Sequence, residues 1–407
     1  MTLADDLTGA IEVGALFARR GIAAPVSTEL SLEPTETART ADVLVIDTES
    51  RHLEPAAALQ RVRNLATPAA AANVQFLYKK TDSTLRGNVG AELGAVLNAW
   101  PDAALLYVPA YPRLGRVCMD GRLFVRGVPG ERAATASDAL EPVEHGSIPR
   151  LLASQTDAPV RVVPAPERLQ AALAATPRPV ILVCDAETEA QLRQYAELAD
   201  TLNVRLAAGP AAFAGHLADA MPLAGSTPGT APRAETVLFV CGSLNPTSLA
   251  QVDAAREAGF PVMQLTPQQL SGTAGTSGAL HPDLVSYVAD QMAKHGRALV
   301  RTSQPEEAQR RSHLEVRDAM GGAACALLKR CDPDAVVVFG GDTAYGIMQA
   351  CGQRVVWPVA EVLPGVPVSR AVLVGRPRAL VTKAGDFGPP DVVRRIHRYL
   401  TSGGLRA

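Results

Sequence analysis

The sequence predicts an α/β protein of two domains, each built on a mostly parallel β-sheet flanked by helices. Short apolar runs alternate with helical patterns along most of the chain, which is typical of strands joined by crossover helices. Alanine, valine and leucine abound whereas aromatic residues make up only 4%, as in sheets that are buried on both faces. A length of 407 residues favours two domains over one.

The composition argues against several classes of protein. A formal net charge of −2 gives no sign of a nucleic-acid or membrane partner. No apolar stretch approaches the ~18 residues of a membrane span, and no signal-peptide pattern opens the chain, so we expect a cytoplasmic protein. The six cysteines form no Cys-x-x-Cys pair and the seven histidines no His-Glu-x-x-His pattern, so we expect neither a metal site nor a disulfide.

The first domain is predicted to span residues 1–222. Its strands are short apolar runs at 2–4, 42–46, 74–78, 104–108, 160–163, 180–184 and 205–208. Helical patterns between them cover residues 7–20, 55–65 and 89–100. Residues 121–127 alternate between polar and apolar side chains, which predicts one arm of a hairpin.

A stretch without apolar periodicity separates the two domains. Residues 222–232 contain three prolines and two glycines, and we place the linker at 223–235. The second domain, residues 236–407, repeats the α/β pattern with strands at 236–240, 298–302, 335–339, 371–374 and 379–382 and helices at 246–258 and 391–400. Residues 271–282 predict a flexible loop.

Polar side chains follow several strands of the first domain. Asp5 and Asp6 come directly after the first strand, and a polar turn that includes Asp82 and Arg86 follows the third. Ligands of open α/β sheets bind outside the carboxyl ends of the strands, so we expect these groups to converge on a ligand. Arg86 can hold a carboxylate in bidentate fashion, and Asp82 can accept a hydrogen bond from a hydroxyl group. Hydroxyl and amide groups suited to a polyhydroxy acid come from Ser83, Thr84 and Asn88.

Simpler structural explanations exist for these residues. Asp6 can cap the helix that it begins, and Asn88 is placed as the N-cap of the helix from residue 89. Asp82 and Arg86 can form a local salt bridge, and an arginine such as Arg116 is most often a surface residue. By strand alternation Lys79 and Lys80 point to opposite faces, so at most one faces the ligand.

Four glycine-bearing loops occur in the second domain. They contain Gly242-Ser243, Gly340-Gly341-Asp342-Thr343, Leu363-Pro364-Gly365-Val366-Pro367 and Lys383-Ala384-Gly385-Asp386-Phe387-Gly388. Glycines between a strand and a helix let the backbone approach a phosphate closely, with helix N–H groups directed at it. Each loop can also be a simple tight turn, and no Gly-x-x-x-x-Gly-Lys phosphate loop is present. The residues alone therefore predict a phosphate ligand but do not specify ATP.

Asp82-Ser83-Thr84-Leu85-Arg86-Gly87-Asn88 resembles the signature of the four-carbon acid sugar kinases, which phosphorylate threonate, erythronate and related acids. Further blocks match in the order of the family, namely Ala4-Asp5-Asp6-Leu7-Thr8-Gly9-Ala10, Pro109-Ala110-Tyr111-Pro112 with Gly115-Arg116, Gly340-Gly341-Asp342-Thr343 and Thr382-Lys383-Ala384-Gly385-Asp386-Phe387-Gly388. Together they span nearly the whole chain. The last block departs from the family, in which a Ser-Gly-Gly-like run is common at Ala384-Gly385-Asp386.

This resemblance implies a sugar-acid domain followed by a nucleotide domain, with the active site in the cleft between them. It implies transfer of a phosphoryl group from ATP to the 4-hydroxyl of a four-carbon acid, D-threonate before D-erythronate, with Mg²⁺ held mainly by the nucleotide. From the strand ends we take Asp82, Asp6 and Arg86 as the catalytic candidates, and we prefer Asp82 as the general base. The candidate substrate-binding residues are Asp5, Asp6, Asp82, Ser83, Thr84, Arg86, Asn88 and Arg116. The candidate nucleotide-binding residues, taken from the glycine-bearing loops, are Gly242, Ser243, Gly340, Gly341, Asp342, Thr343, Gly365, Lys383, Gly385 and Gly388.

Two other functions remain open at this point. An isomerase or aldolase acting on a phosphorylated sugar acid would also need acids and phosphate loops, but it would not consume ATP. A two-domain protein that only binds a sugar acid would release no product. We expect small-molecule ligands and no nucleic-acid or membrane partner, and a homodimer is left open.

Overall fold

The computed structural model describes residues 1–32, 41–133, 146–223, 225, 229–230, 232–266, 280, 282–302 and 313–403. The chain divides into two compact units, Met1–Ser226 and Thr227–Ala407, and each has its own sheet and hydrophobic core. This confirms the predicted α/β architecture of two domains with mostly parallel sheets. Among the described residues, no helix is long and apolar enough to cross a membrane.

The first unit contains a large parallel sheet and a small antiparallel one. Its strands are β1 (Thr2–Ala4), β2 (Val26–Ser27), β3 (Val45–Asp47), β4 (Leu77–Lys80), β5 (Ala104–Tyr107), β6 (Arg116–Met119), β7 (Arg122–Val125), β8 (Val128–Pro129), β9 (Val160–Val163), β10 (Val180–Cys184) and β11 (Leu206–Gly209). Its α-helices are α1 (Leu7–Ala18), α2 (Pro55–Ala71), α3 (Val89–Asn98), α4 (Ile148–Ala153), α5 (Leu169–Ala175), α6 (Glu189–Thr201) and α7 (Ala211–Ala220).

The large sheet of the first unit has the order β2-β3-β1-β4-β11-β5-β10-β9, and all of its neighbouring strands are parallel. Ala4 at the end of β1 lies opposite Asp47 of β3 on one side and Lys80 of β4 on the other. The chain therefore leaves β1 first to one side and later to the other. This is a topological switch point, where ligands of open α/β sheets bind beyond the carboxyl ends of the strands.

Local sequence accounts for the elements around this edge. The strands of the sheet core are apolar on both faces, as in β10, whose five residues are all buried. Helix α1 is almost entirely buried, and its buried residues include Leu7, Ile11 and Phe17. The predicted hairpin arm at 121–127 is confirmed, since β7 pairs antiparallel with both β6 and β8. Helix α2 extends beyond the predicted end at residue 65 and passes through Pro68, because Ala66 and Ala69 are buried on the sheet side of the helix.

The second unit has a mixed sheet. Its strands are β12 (Val237–Cys241), β13 (Val262–Gln264), β14 (Arg297–Arg301), β15 (Ala335–Phe339), β16 (Val355–Leu363), β17 (Val366–Leu373) and β18 (Arg376–Lys383). Its α-helices are α8 (Pro246–Glu257), α9 (Pro282–His295), α10 (His313–Cys331), α11 (Gly341–Ala350) and α12 (Val392–Thr401). The order β13-β14-β12-β15-β18 is parallel, and β17 and β16 continue it antiparallel.

The antiparallel part of this sheet was not predicted. The predicted strands 371–374 and 379–382 are parts of β17 and β18, which turn at Val374 and Gly375 with φ of 53° and 71°. Strand β16 was missed because Pro358 and Glu361 interrupt its apolar pattern, and its pairing with β17 is irregular near Pro358. The flexible loop predicted at 271–282 lies outside the described residues, apart from Leu280 and Pro282, at which α9 begins.

Candidate active site

Arg51 joins the two aspartates that follow β1. It lies beyond the carboxyl end of β3, and its Nε donates a hydrogen bond to Asp5 Oδ2 at 2.8 Å. Its Nη2 lies 2.8 Å from Asp6 Oδ1. Asp6 Oδ1 also accepts a hydrogen bond from Gly9 N at 3.1 Å, as the N-cap of α1. The capping role predicted as the simpler explanation is therefore present, together with an ion pair that the sequence analysis did not predict.

Asp5 is the more buried of these two aspartates. Burial by itself would raise its pKa, but the charges of Arg51, Lys80 and Lys79 outweigh burial and lower the pKa to about 2. Asp5 is therefore a carboxylate at neutral pH. Its Oδ1 lies 3.7 Å from Lys80 Nζ and has no hydrogen-bond partner among the described residues. A buried oxygen of this kind is a place for a ligand hydroxyl group.

Asp82 lies in the turn after β4 and accepts several hydrogen bonds. Its carboxylate receives the Thr84 N–H at 3.0 Å and the Thr84 hydroxyl, and it pairs with Arg86 through Nε at 3.0 Å and Nη2 at 2.8 Å. Arg51 Nη2 lies 3.9 Å from Asp82 Oδ1. Burial would raise the pKa of Asp82, but Arg86 and Arg51 hold it well below its usual range. The predicted local salt bridge is present, and it leaves Asp82 a weak base.

Lys79 and Lys80 have different partners, as strand alternation predicts. Lys79 Nζ lies 2.9 Å from Glu92 Oε2 of α3, and both side chains are almost completely buried. Burial raises the pKa of Glu92 despite this neighbour. Lys80 Nζ instead points to the carboxylates of Asp5, at 3.7 Å, and Asp6, at 3.9 Å. Lys80 is therefore the lysine of the candidate site. Lys79 Nζ donates a hydrogen bond to the Lys80 carbonyl at 2.9 Å.

The remaining predicted residues of the first unit also lie around this edge. Asn88 Nδ2 donates to the carbonyls of Ser50 and Leu53 at 3.0 and 2.7 Å. Asn88 is the N-cap residue of α3, as predicted, but its side chain makes no capping hydrogen bond, because the amide is committed to the loop after β3. Arg116 is buried, and its Nη1 donates a hydrogen bond to Ser83 Oγ. Arg116 is thus not the surface residue of the simpler explanation, since it contacts the turn after β4.

Three carboxylates, two guanidinium groups and one ammonium group therefore meet beyond three neighbouring strands. Guanidinium groups bind carboxylates and carboxylates accept hydrogen bonds from hydroxyl groups, so the cluster suits an acid that also carries hydroxyls. We call this set the acid cluster, and its members are Asp5, Asp6, Arg51, Lys80, Asp82 and Arg86.

In the second unit, the loops after β12, β15 and β18 come together. A Cβ placed on Gly385 would lie 2.7 Å from Ser243 Oγ. A Cβ on Gly340 would lie 3.4 Å from Thr343 Oγ1, and one on Gly242 would overlap that same oxygen. Helix α11 begins at the end of this loop, directly after Gly340, whose φ is 106°. The surface between these loops therefore consists mainly of backbone atoms next to the N-terminus of α11. Backbone N–H groups at a helix N-terminus are suited to binding an anion.

Two residues of the predicted nucleotide set have a different environment. Gly365 is not between a strand and a helix but in the tight turn from β16 to β17, where a Cβ would overlap the Phe387 ring. Lys383 is fully buried, and its Nζ donates to backbone carbonyls of the loop that follows it. Asp342 lies in the first turn of α11, and the N-cap of that helix is Gly340. Nucleotide binding by these residues stays a prediction.

Sequence reasoning missed four residues of the two sites. Arg51 ends the polar run after β3, a signal that was available, and Lys80 was left as one of two alternatives. Ser248 and Gln251 of α8 contact the loop after β18. They are ordinary polar residues of a helix, so no sequence signal distinguishes them.

Comparisons with known proteins agree with this division. The family model described as a sugar-binding N-terminal domain matches residues 1–217, and that of a nucleotide-binding C-terminal domain matches residues 238–393. A D-threonate kinase of Bordetella bronchiseptica is 34% identical over 97% of this chain and 95% of its own length. A D-erythronate kinase of Heliobacterium modesticaldum is 32% identical over 63% of this chain and 60% of its own length.

A crystal structure from Salmonella typhimurium superposes with a TM-score of 0.79, covers 98% of both chains and is 21% identical in sequence. This likeness shows a shared fold. The first family model spans more than half of the chain, and the Bordetella protein matches it nearly end to end. The protein is thus a member of the four-carbon acid sugar kinase family.

Proposed function

We propose that the protein is an ATP-dependent kinase that phosphorylates the 4-hydroxyl of D-threonate, with D-erythronate as the next substrate. The acid cluster is the observation that carries this proposal. A four-carbon sugar acid has one carboxylate and several hydroxyl groups, which match the guanidinium groups and carboxylate oxygens of the cluster. The preference for D-threonate is supported by the Bordetella relative of that name.

The carboxylate of the substrate would be held by an arginine and its hydroxyls by aspartates. A guanidinium group has five N–H donors, of which Arg86 gives two side-chain donors to Asp82. Asp5 Oδ1, which has no hydrogen-bond partner among the described residues, would accept from a substrate hydroxyl. Lys80 and Arg51 would offset the charge of the aspartates, so that an anionic acid can approach.

Asp6 is a better candidate than Asp82 for the group that accepts the proton of the attacking hydroxyl. The sequence analysis preferred Asp82, but in the structure that carboxylate accepts hydrogen bonds from Thr84 and Arg86 and its pKa is well below its usual range. The Asp6 side chain is 19% exposed, compared with 8% for Asp82. Asp82 would instead orient the two arginines.

The nucleotide would bind at the glycine loops of the second unit, with its phosphates near Gly242, Gly340 and Gly385. Phosphoryl transfer depends mainly on positioning and on neutralising charge. Backbone N–H groups and the N-terminus of α11 would supply part of that charge. Mg²⁺ would come with the nucleotide, since it usually keeps several waters and binds through phosphates and few protein oxygens.

The test is to incubate the purified protein with ATP, Mg²⁺ and a panel of four-carbon acids, and to measure ADP. The panel holds both stereoisomers of each tetronate and 3-oxo-tetronate, and NMR locates the phosphate on the product. We expect D-threonate to give the highest kcat/KM and a 4-phosphate. ADP release that no acid stimulates would overturn the proposal. Conversion of a sugar-acid phosphate without ATP would favour the isomerase or aldolase, and acid binding without any turnover would favour a binding protein.

A further inference from the structure

Lys383, the last residue of β18, has an unusual environment for a lysine beside a phosphate loop. Its side chain is 0% exposed. Its Nζ donates to the carbonyls of Ala384 at 2.8 Å, Gly385 at 3.1 Å and Phe387 at 3.1 Å. It also lies 3.3 Å from Ser248 Oγ. An ammonium group has three N–H donors, so these four oxygens already occupy all of them.

Two residues of α8 contact the same loop from the same side. Ser248 Oγ donates to the Gly385 carbonyl at 2.7 Å. Gln251 Nε2 donates to the carbonyls of Phe387 at 3.0 Å, Gly388 at 2.9 Å and Pro389 at 3.1 Å. Ser248 and Gln251 are fully buried. The carbonyls of residues 384, 385, 387, 388 and 389 thus all point at Lys383, Ser248 and Gln251, which we call the inner triad.

The direction of these carbonyls fixes the direction of the loop's N–H groups. In a trans peptide unit the C=O and the following N–H point in opposite directions. The N–H groups of Gly385 and Gly388 therefore point away from the inner triad, and neither has a backbone acceptor in the part of the chain that the structure describes. The carbonyls of Gly388 and Pro389 are followed by Pro389 and Pro390, which have no N–H. These two peptide units therefore leave no N–H group without an acceptor.

We propose that Lys383 is a positioning residue that does not contact the nucleotide. With Ser248 and Gln251 it turns the carbonyls of the loop inward, and this directs the N–H groups of Gly385 and Gly388 to a phosphate of the nucleotide. The inference rests on the proposed function, because it takes this unit to bind ATP. It also revises the sequence-based expectation that Lys383 binds the nucleotide directly.

The charge of Lys383 is consistent with this arrangement. Burial lowers the pKa of Lys383 to about 8, and Cys241 and Asp386 oppose that change. The side chain is therefore charged at neutral pH, and its ammonium also lies 4.6 Å from the centre of the Phe339 ring. Its carbonyl partners are neutral, so a full positive charge remains beneath the loop. This charge favours a phosphate on the other side without a direct contact.

Lysine labelling separates a positioning role from a binding role. The folded protein is reductively methylated with and without saturating ADP, and the modified lysines are read by peptide mass spectrometry. Lys329, which is exposed on α10, is the control that must be labelled. We expect Lys383 to stay unmodified in both states. A Lys383 that is modified in the protein alone and protected by ADP would overturn the proposal.

Variants of the inner triad give a second, independent measurement. Gln251→Leu removes three hydrogen bonds to the loop without touching a bound nucleotide, so we expect the Kd for ATP to rise about tenfold or more, with the KM for the acid unchanged. Ser248→Ala should raise the Kd for ATP a few-fold. This variant is the substitute test if Gln251→Leu does not fold. Gln349→Leu, near the end of α11, is the matched control with unchanged affinity. Unchanged ATP affinity in a folded Gln251→Leu or Ser248→Ala protein would contradict the proposal.

The same calorimetry distinguishes this failure from failure of the proposed function. If the unmodified protein binds no ATP, the proposed function fails, whatever the variants do. If it binds ATP and the triad variants bind equally well, only the positioning role fails.

Discussion

The two units build their sites from different parts of the chain. The acid cluster of the first unit consists of charged side chains that pair with one another, whereas the loops of the second unit present backbone. Each unit also contains a fully buried lysine near the end of a strand, Lys79 in β4 and Lys383 in β18. Lys79 pairs with the carboxylate of Glu92, but Lys383 is surrounded by neutral carbonyl oxygens.

This difference follows from the ligand that each proposed site would hold. A carboxylate beside Lys383 would cancel its charge where a phosphate is to bind, and neutral carbonyls avoid that loss. In the first unit the ligand would be a small acid with hydroxyl groups, which need carboxylate acceptors as well as cations. There Glu92 can neutralise the buried Lys79, because Lys80, Arg51 and Arg86 supply the positive charge that would face the ligand.

The largest effect that we expect comes from removing the proposed proton acceptor of the acid cluster. Asp6→Asn keeps the helix cap, since asparagine caps as well as aspartate, but it removes the carboxylate. We expect kcat to fall by ~10²–10⁴ with little change in ATP affinity. Asp82→Asn should mainly raise the KM for the acid, because it releases Arg86. Steady-state kinetics of both variants measure this contrast.

The opposite pattern would return the base to Asp82. That result would be a steep loss of kcat in Asp82→Asn together with near-normal turnover by Asp6→Asn. Circular dichroism and thermal unfolding of both proteins are the controls for folding, because each variant also weakens an ion pair with an arginine.

Stability should depend on Arg51 in a way that changes with pH. Arg51→Met leaves Asp5 and Asp6 without their closest cation, so we expect the free energy of unfolding to fall by about 3 kcal/mol at pH 7. The pKa of Asp5 is lowered to about 2 in the folded protein, so its stabilising contribution is present above pH ~4 and is lost as pH falls toward 2. The difference between the two proteins should therefore shrink over that range.

Urea unfolding of both proteins at several pH values from 2 to 7 measures this difference. Arg122→Met is the matched control, because Arg122 pairs with Glu131 on the surface and exposed pairs contribute at most about 1 kcal/mol. A difference for Arg51→Met that is equally large at pH 2.5 and pH 7 would show that Arg51 acts by packing and not by its charge.

The sequence predicted which strand ends carry the candidate residues, because strand ends are visible in it. Runs such as Val180–Cys184 mark buried strands, and the polar residues after them must lie at one edge of a parallel sheet. It could not predict which charges pair, because Arg51 is separated from Asp5 by 46 residues. The inner triad was invisible for the same reason, since Gln251 is 136 residues from the carbonyl of Phe387.

The antiparallel part of the second unit shows a different limit. Pro358 and Glu361 made β16 look unlike a strand, although long strands tolerate proline where the pairing is irregular. Because β16 was missed, the turn at Gly365 was counted as a fourth glycine-bearing loop, although it joins two antiparallel strands. The other three loops lie at the carboxyl ends of parallel strands.

The smallest effect that we expect tests whether backbone access matters in the second unit. Gly242→Ala places a methyl group on Thr343 of α11, with the new Cβ 3.1 Å from the Thr343 Cβ. Overpacking of this kind costs about 1–3 kcal/mol, and Thr343 must shift within the proposed phosphate site. We expect the KM for ATP to rise about tenfold while the KM for the acid stays unchanged.

Gly215→Ala on α7 is the matched control, since its Cβ would meet Leu16 Cδ1 at an ordinary 3.4 Å. That control should bind both substrates normally. It should also be slightly more stable, because alanine has a higher helix propensity than glycine. A Gly242→Ala enzyme with an unchanged KM for ATP would mean that the phosphates bind elsewhere, and the contrast between a side-chain site and a backbone site would then fail.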